Sequence, residues 1–167
     1  MTKGRKLLLL PPCYIAAPYA AATPAERLWN VERAELLGGL AILCGQRAVV
    51  VHRRILIGEW GADEDLVARN IGKAATLNLC RDAVVRGSIW ALQRDDESYP
   101  EGTATEWALR TQQPYNATRP CLTGTWLWWR AHFYKHGHYL LPRWEQLRQP
   151  PTAAAMSASR GAGSSSS

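Results

Sequence analysis

Apolar positions along the chain fall into two patterns, short unbroken runs and longer stretches with helical spacing. Cys13-Tyr14-Ile15-Ala16-Ala17, closed by Pro18, reads as a buried first strand that opens into the loop Tyr19 to Ala22. Thr23-Pro24-Ala25-Glu26 then combines an N-cap threonine, a proline at the first helical position and a glutamate three residues after the cap. From Leu28 through Val31, Leu36-Leu37, Leu40-Ala41 and Leu43-Cys44 the apolar residues keep helical spacing, and Gly45 stops the helix. Gly38-Gly39 marks where that helix can lie close on a sheet.

Arg47-Ala48-Val49-Val50-Val51 predicts a second, parallel strand, with His52-Arg53-Arg54 at its C-terminal end. After the loop Gly58 to Gly61, a second helix is expected from about Ala62 to Leu79, with Asp63, Glu64 and Asp65 in its first turn. Asp82-Ala83-Val84-Val85 reads as a third strand, followed by an acidic loop and a helix that opens at Gly102-Thr103. Strand, helix, strand, helix, strand, helix predicts an α/β sandwich, flavodoxin-like or Rossmann-like in three layers, with a short parallel sheet and right-handed crossovers. Such sheets bind ligands outside the C-terminal ends of their strands. The loops Pro18 to Ala22, His52 to Gly61 and Arg86 to Gly102 are therefore the expected site.

Composition narrows the class. At 167 residues with 47% hydrophobic content, the chain suits one globular domain, and no apolar run approaches a membrane span. The basic start and Leu7 to Leu10 only faintly imitate a signal peptide, because the run is short and Pro11-Pro12 closes it. Cys13, Cys44, Cys80 and Cys121 lie far apart without CxxC spacing, which predicts reduced thiols in a cytoplasmic protein. Charge is divided: residues 1 to 106 hold 13 basic and 13 acidic residues, so the net charge of +6 lies entirely beyond Glu106.

Several residues of these segments resemble the nucleoside 2-deoxyribosyltransferase-like family. Tyr14-Ile15-Ala16-Ala17-Pro18-Tyr19 looks like that family's "YIAGPY" strand and loop, and Gly102-Thr103-Ala104-Thr105-Glu106 looks like its "GTAxE" segment. The resemblance spans residues 12 to 112. It implies cleavage of the N-glycosidic bond of a nucleoside or nucleotide, with transfer of the sugar to another base or to water. The transition state is oxocarbenium-like, so a fixed carboxylate can attack the anomeric carbon while an acid protonates the departing base. By this resemblance Glu106 is the nucleophile, and Tyr14, Ala17, Pro18, Tyr19, Ser98, Gly102 and Thr103 line the substrate, joined by His52 from its place at a strand end; with Ala74 where the family has a carboxylate, protonation of the base falls to Asp95 or Asp96, or the chain binds a nucleotide without turning it over. No cofactor is expected, and the resemblance implies a homo-oligomer, since in many members of that family a neighbouring subunit completes the pocket.

The chain departs from the family's pattern in three places. Tyr99-Pro100-Glu101 separates Ser98 from Gly102, where the family has "SGT". Ala74 stands eight residues before Asp82, where the family carries an aspartate on the preceding helix. The strand expected after the Glu106 helix does not read from Gln113-Pro114-Tyr115-Asn116, so either the sheet ends early or the C-terminal segment substitutes.

The chain accordingly divides into an N-terminal extension (1–11), the α/β domain (12–113), a Trp-rich basic extension (114–148) and a Pro/Ala/Ser/Gly tail (149–167) whose composition predicts disorder. Thr125 to Trp144 interleaves aromatic and basic residues, which can bind single-stranded nucleic acid or cover a sheet face or subunit contact. The second reading is favoured because the positive charges are few. His132 and His136 have i,i+4 spacing, but no Glu or Cys completes a metal set, and none is assigned. Two function classes stand beside the enzyme: a non-catalytic nucleotide-binding or regulatory module, and, less favoured, a nucleic-acid-binding protein that uses the Trp-rich segment.

Overall fold

The computed structural model describes residues 9–59, 65–112 and 117–152. Its core is a parallel four-stranded sheet in the order β2-β1-β3-β4, built from β1 (Pro12–Ala16), β2 (Arg47–Val49), β3 (Ser88–Leu92) and β4 (Leu122–Gly124). Helices cover both faces, as in flavodoxin-like and Rossmann-like sandwiches. β1 lies between β2 and β3, with Tyr14 opposite both Val49 and Ile89. Every residue of β1 and β3 is buried, which is why both segments read as unbroken apolar runs.

The side-chain alternation of β1 divides the core in two. Cys13, Ile15 and Ala17 point to the face covered by α1 (Pro24–Leu43), α5 (Trp126–His136) and α6 (Leu141–Gln146). Tyr14 and Ala16 point to the other face, covered by α3 (Leu66–Arg86) and the Leu109 turn that follows α4 (Glu101–Ala108). α1 begins as its sequence predicts, with the Thr23 hydroxyl accepting from the Glu26 amide. Gly38 is the point of close approach to β2 and the residue after it: a Cβ there would lie 3.3 Å from Ala48 Cβ and 2.7 Å from Val50 Cγ2.

Three expectations are corrected. Asp82-Ala83-Val84-Val85 is not a strand but the last turns of α3, which starts after the Asp65 N-cap and runs to Arg86. Cys80, Ala83 and Val84 form the buried stripe of that helix, so helical packing outweighs the β preference of the valine pair. The third strand lies further on, at Ser88–Leu92, after Gly87, where any Cβ would meet the Pro12 carbonyl oxygen at 1.9 Å. His52 does not sit on a strand end but opens the short helix α2 (His52–Leu56). Gly102-Thr103 does not cap its helix, because α4 starts at Glu101 behind Pro100 and Thr103 is buried inside its first turn. The expected helix start at Asp63 and Glu64, and the segment Gln113 to Asn116, lie outside the described residues.

The C-terminal segment substitutes for the missing strand. Leu122–Gly124 pairs in parallel with Trp90–Leu92, and α5 and α6 then lay Trp126, Trp129, Phe133 and Trp144 on the sheet. Trp126 and Trp144 stack 6.1 Å apart, and each indole N–H donates to the other's backbone carbonyl at 3.1 Å. The buried aromatics thus cover a sheet face, whereas Trp128, Tyr134 and Tyr139 remain exposed. No helix among the described residues is long and apolar enough to cross a membrane.

Candidate active site

Of the β1 side chains on the α3 face, Tyr14 is the polar one, and its hydroxyl donates a 2.8 Å hydrogen bond to Glu106 Oε1. Two segments 92 residues apart in sequence therefore meet at one carboxylate. The meeting follows from the fold: α4 leaves the C-terminal side of β3, returns over the α3 face, and presents Glu106 on its inward side. Thr103, one turn earlier, is buried on the same helix, whereas Gly102 faces open space.

Burial raises the Glu106 carboxyl to about 7, and the hydrogen bond from Tyr14 acts in the opposite direction by favouring the ionised form. Burial and the neighbouring carboxylate hold the Tyr14 phenol well above its ordinary range, so it stays a proton donor. A carboxylate ionised in part at neutral pH, partly withdrawn from water and oriented by one fixed donor, can act as nucleophile or as acid-base group. Tyr14→Phe is expected to raise the Glu106 pKa further. Any rate that requires ionised Glu106 should then shift its rising limb to higher pH, measurable as a pH–rate profile or by carboxyl-carbon NMR titration.

The loop after β1 is tied down by two buried polar side chains. His52 is 3% exposed and its Nε2 lies 2.8 Å from the Ala17 carbonyl oxygen, which places the ring proton on Nε2. Burial lowers the pKa of the ring, so His52 is neutral, and its Nδ1 is buried without a partner among the described residues. Asn30 donates to the Tyr19 carbonyl at 3.2 Å, so the residues that follow Pro18 are fixed from α1. Sequence reasoning missed Asn30. Its signal is a polar residue on the stripe of Ala34, Leu37 and Ala41.

The acidic loop is organised differently. Asp96 accepts hydrogen bonds from the Ser98 amide and hydroxyl, a local turn that holds its carboxyl below the ordinary range, and Asp96 is exposed. Glu97 beside it has φ of 65°, the left-handed conformation that tight turns use. Asp95 is exposed as well, and it borders a cavity with Trp126 and Arg148 on the α1 and α5 side. The structure therefore brings Tyr14 to Glu106, His52 to Ala17 and Ser98 to Asp96, but neither aspartate acts on Glu106, which responds to burial and to Tyr14.

Counting eight residues back from Ser88, the first residue of the observed third strand, leads to Cys80 rather than Ala74. The Cys80 thiol faces the backbone carbonyl of Glu106 at 3.7 Å, and burial raises its pKa above the range in which it could supply a proton or a thiolate. Among the described residues no cluster of three or more His, Cys, Asp or Glu side chains could hold a metal ion. Compared with family models, with curated proteins and with solved structures, the chain matches none.

Proposed function

We propose that this protein cleaves the N-glycosidic bond of a nucleoside or nucleotide, with Glu106 as the nucleophile. The observation that supports this reading is the Tyr14–Glu106 hydrogen bond, which joins the two segments whose residues resemble the deoxyribosyltransferase-like family. In the proposed step a Glu106 oxygen forms a bond to the anomeric carbon as the bond to the base nitrogen breaks, and the base leaves with that electron pair. Water or a second base then displaces the carboxylate. Tyr14 holds the carboxylate in one orientation, and the loop Ala17 to Tyr19, fixed by His52 and Asn30, forms the wall against which the substrate rests.

The test is base release from a panel of nucleosides and their 5′-monophosphates. Wild type is expected to release or exchange a base from at least one, and Glu106→Ala to lose that activity by about 10³-fold or more. Absence of turnover across the panel refutes the enzyme reading. One observation favours a second reading, a nucleotide-binding module without turnover: Asp95 and Asp96 lie exposed and away from Glu106, so no described carboxylate is assigned to protonate the base. Saturable nucleotide binding without base release distinguishes that reading.

A further inference from the structure

The N-terminal ends of all four strands open onto one surface, because every pair in the sheet is parallel. Backbone contacts tie the turns of that surface together. The Arg47 amide donates to the Pro11 carbonyl, and the Thr118 and Arg119 amides share the Gly87 carbonyl, each at 2.9 Å. Gly87 in turn lies against Pro12, the first residue of β1. On the α1 side the surface continues through Gly137, where a Cβ would lie 2.8 Å from Leu43 Cδ1. It therefore joins the C-terminal ends of α1, α3 and α5 to the starts of the strands.

Two kinds of side chain stand in water there. Arg47 at the start of β2, Arg86 before β3 and Arg119 before β4 are exposed, and none of the three forms an ion pair among the described residues. Residues 44–47, 86–88, 117–121 and 137–140 contain no Asp or Glu, and Asp82 lies one turn back from Arg86 on α3. At the opposite end of the sheet Arg53 pairs with Glu35 and Arg54 with Glu59, and the loop after β3 carries Asp95, Asp96 and Glu97. A cation in the last turn of a helix offsets its dipole, which accounts for Arg86. Arg47 belongs to a strand and Arg119 to a loop, so a place in a helix does not account for them.

The second kind is apolar. Leu9 is 85% exposed, and Leu43 and Tyr139 are exposed as well. Single exposed leucines are common on protein surfaces, but these share one end of the molecule with three unpaired cations. An anionic bilayer complements both kinds: its headgroups attract the arginines, and the boundary between headgroups and acyl chains takes up leucines and the amphipathic ring of tyrosine. A nucleic-acid strand complements the charges alone, because its bases stack on aromatic faces and Leu9 and Leu43 are aliphatic.

We propose that the N-terminal end of the sheet is a peripheral docking surface for an anionic lipid bilayer, with Arg47, Arg86 and Arg119 on the headgroups and Leu9, Leu43 and Tyr139 in the interface. The arrangement requires no spanning helix. The C-terminal ends of the strands, with the loop Ala17 to Tyr19, then face away from the bilayer and stay open to solution. The inference goes beyond the reading at Glu106 and does not rest on it.

The experiment is co-flotation of the full chain with vesicles of phosphatidylcholine alone and of phosphatidylcholine with phosphatidylserine at roughly one lipid in three, a composition whose negative surface potential attracts basic residues. Binding is expected to be strong only to the vesicles that contain phosphatidylserine and to weaken as salt rises. Each of Arg47→Gln, Arg86→Gln and Arg119→Gln should weaken it by roughly fivefold, and the triple variant by about 100-fold. Leu9→Ser should weaken it by roughly 10-fold and leave its salt dependence unchanged. All four positions are exposed, and circular dichroism checks that the variants keep the fold. Absence of binding to phosphatidylserine vesicles, or binding that the triple variant retains in full, overturns the proposal. An oligothymidylate strand that binds through the three arginines where vesicles do not also overturns it and assigns the surface to nucleic acid. Base release plays no part in the measurement, so failure here leaves the Glu106 reading untouched.

Discussion

A Glu106→Gln chain is expected to lose base release by about 10³-fold or more and, above neutral pH, to be more stable than wild type. The two effects have one cause. Burial raises the folded-state pKa of Glu106 from 4.5 to about 7, so between these values the folded protein holds a proton that the unfolded chain has released. Stability from this group is therefore fully present below about 4.5 and is lost as pH rises through about 7. The loss amounts to roughly 3 kcal/mol, at about 1.4 kcal/mol for each pKa unit. Glutamine copies the protonated carboxyl in size and in its ability to accept from Tyr14, but it cannot ionise. Denaturant melts of both chains at several pH values should agree near pH 4.5 and diverge as pH rises. If the two melts shift in parallel throughout, the Glu106 carboxyl is not withdrawn from water. If turnover survives the substitution, Glu106 is not the nucleophile.

A chain ended at residue 113 is expected not to fold. It would keep β1, β2, β3 and the helices of the α3 side, but it would expose Ile15, Trp90, Leu92 and the inner stripe of α1, all of which pack in one cluster with Trp126, Trp129, Phe133 and Trp144. Removing a single buried aromatic typically costs about 3–5 kcal/mol, and a whole domain is held by only about 5–15 kcal/mol. Four such residues and the partner strand of β3 therefore exceed what the remainder can supply. Circular dichroism and hydrogen exchange on the truncated chain check this. A cooperative melt with native-like protection of β1 amides would show that residues 12 to 113 form a unit by themselves.

The architecture was legible in the chain wherever local chemistry and tertiary packing agree. Thr23, Pro24 and Glu26 announce α1 because capping is a short-range interaction, and the caps form as their spacing predicts. The run Cys13 to Ala17 announces a central strand because both its faces are buried. Asp82 to Val85 misled for the opposite reason: valines adjacent in sequence carry a β preference, and only packing of Cys80, Ala83 and Val84 as a helical stripe overrides it. β4 has three residues and takes its identity from pairing with β3, so nothing local marks it.

The site was legible to a different degree. Tyr14 and Glu106 were both named from sequence, but their contact depends on α4 folding back over β1, which no spacing rule contains. The aspartates of the acidic loop could be counted but not placed. In the fold Asp96 closes a turn with Ser98, and Asp95 faces the cavity beside Trp126.

The C-terminal position of β4, α5 and α6 also bears on the order in which the protein is made. β1, β2 and β3 can pair as soon as residue 92 is available, but the aromatic cluster that covers the α1 face is completed only at Leu147. During synthesis, Ile15, Leu37, Leu40 and Leu92 must wait for partners more than 30 residues downstream of β3, with a sheet edge beside them unpaired. Exposed apolar surface next to an open edge is what chaperones bind and what seeds aggregation. The nascent chain should therefore be most vulnerable between completion of β3 and emergence of the tryptophan helices, and substitutions that slow that interval should lower yield without changing the finished fold.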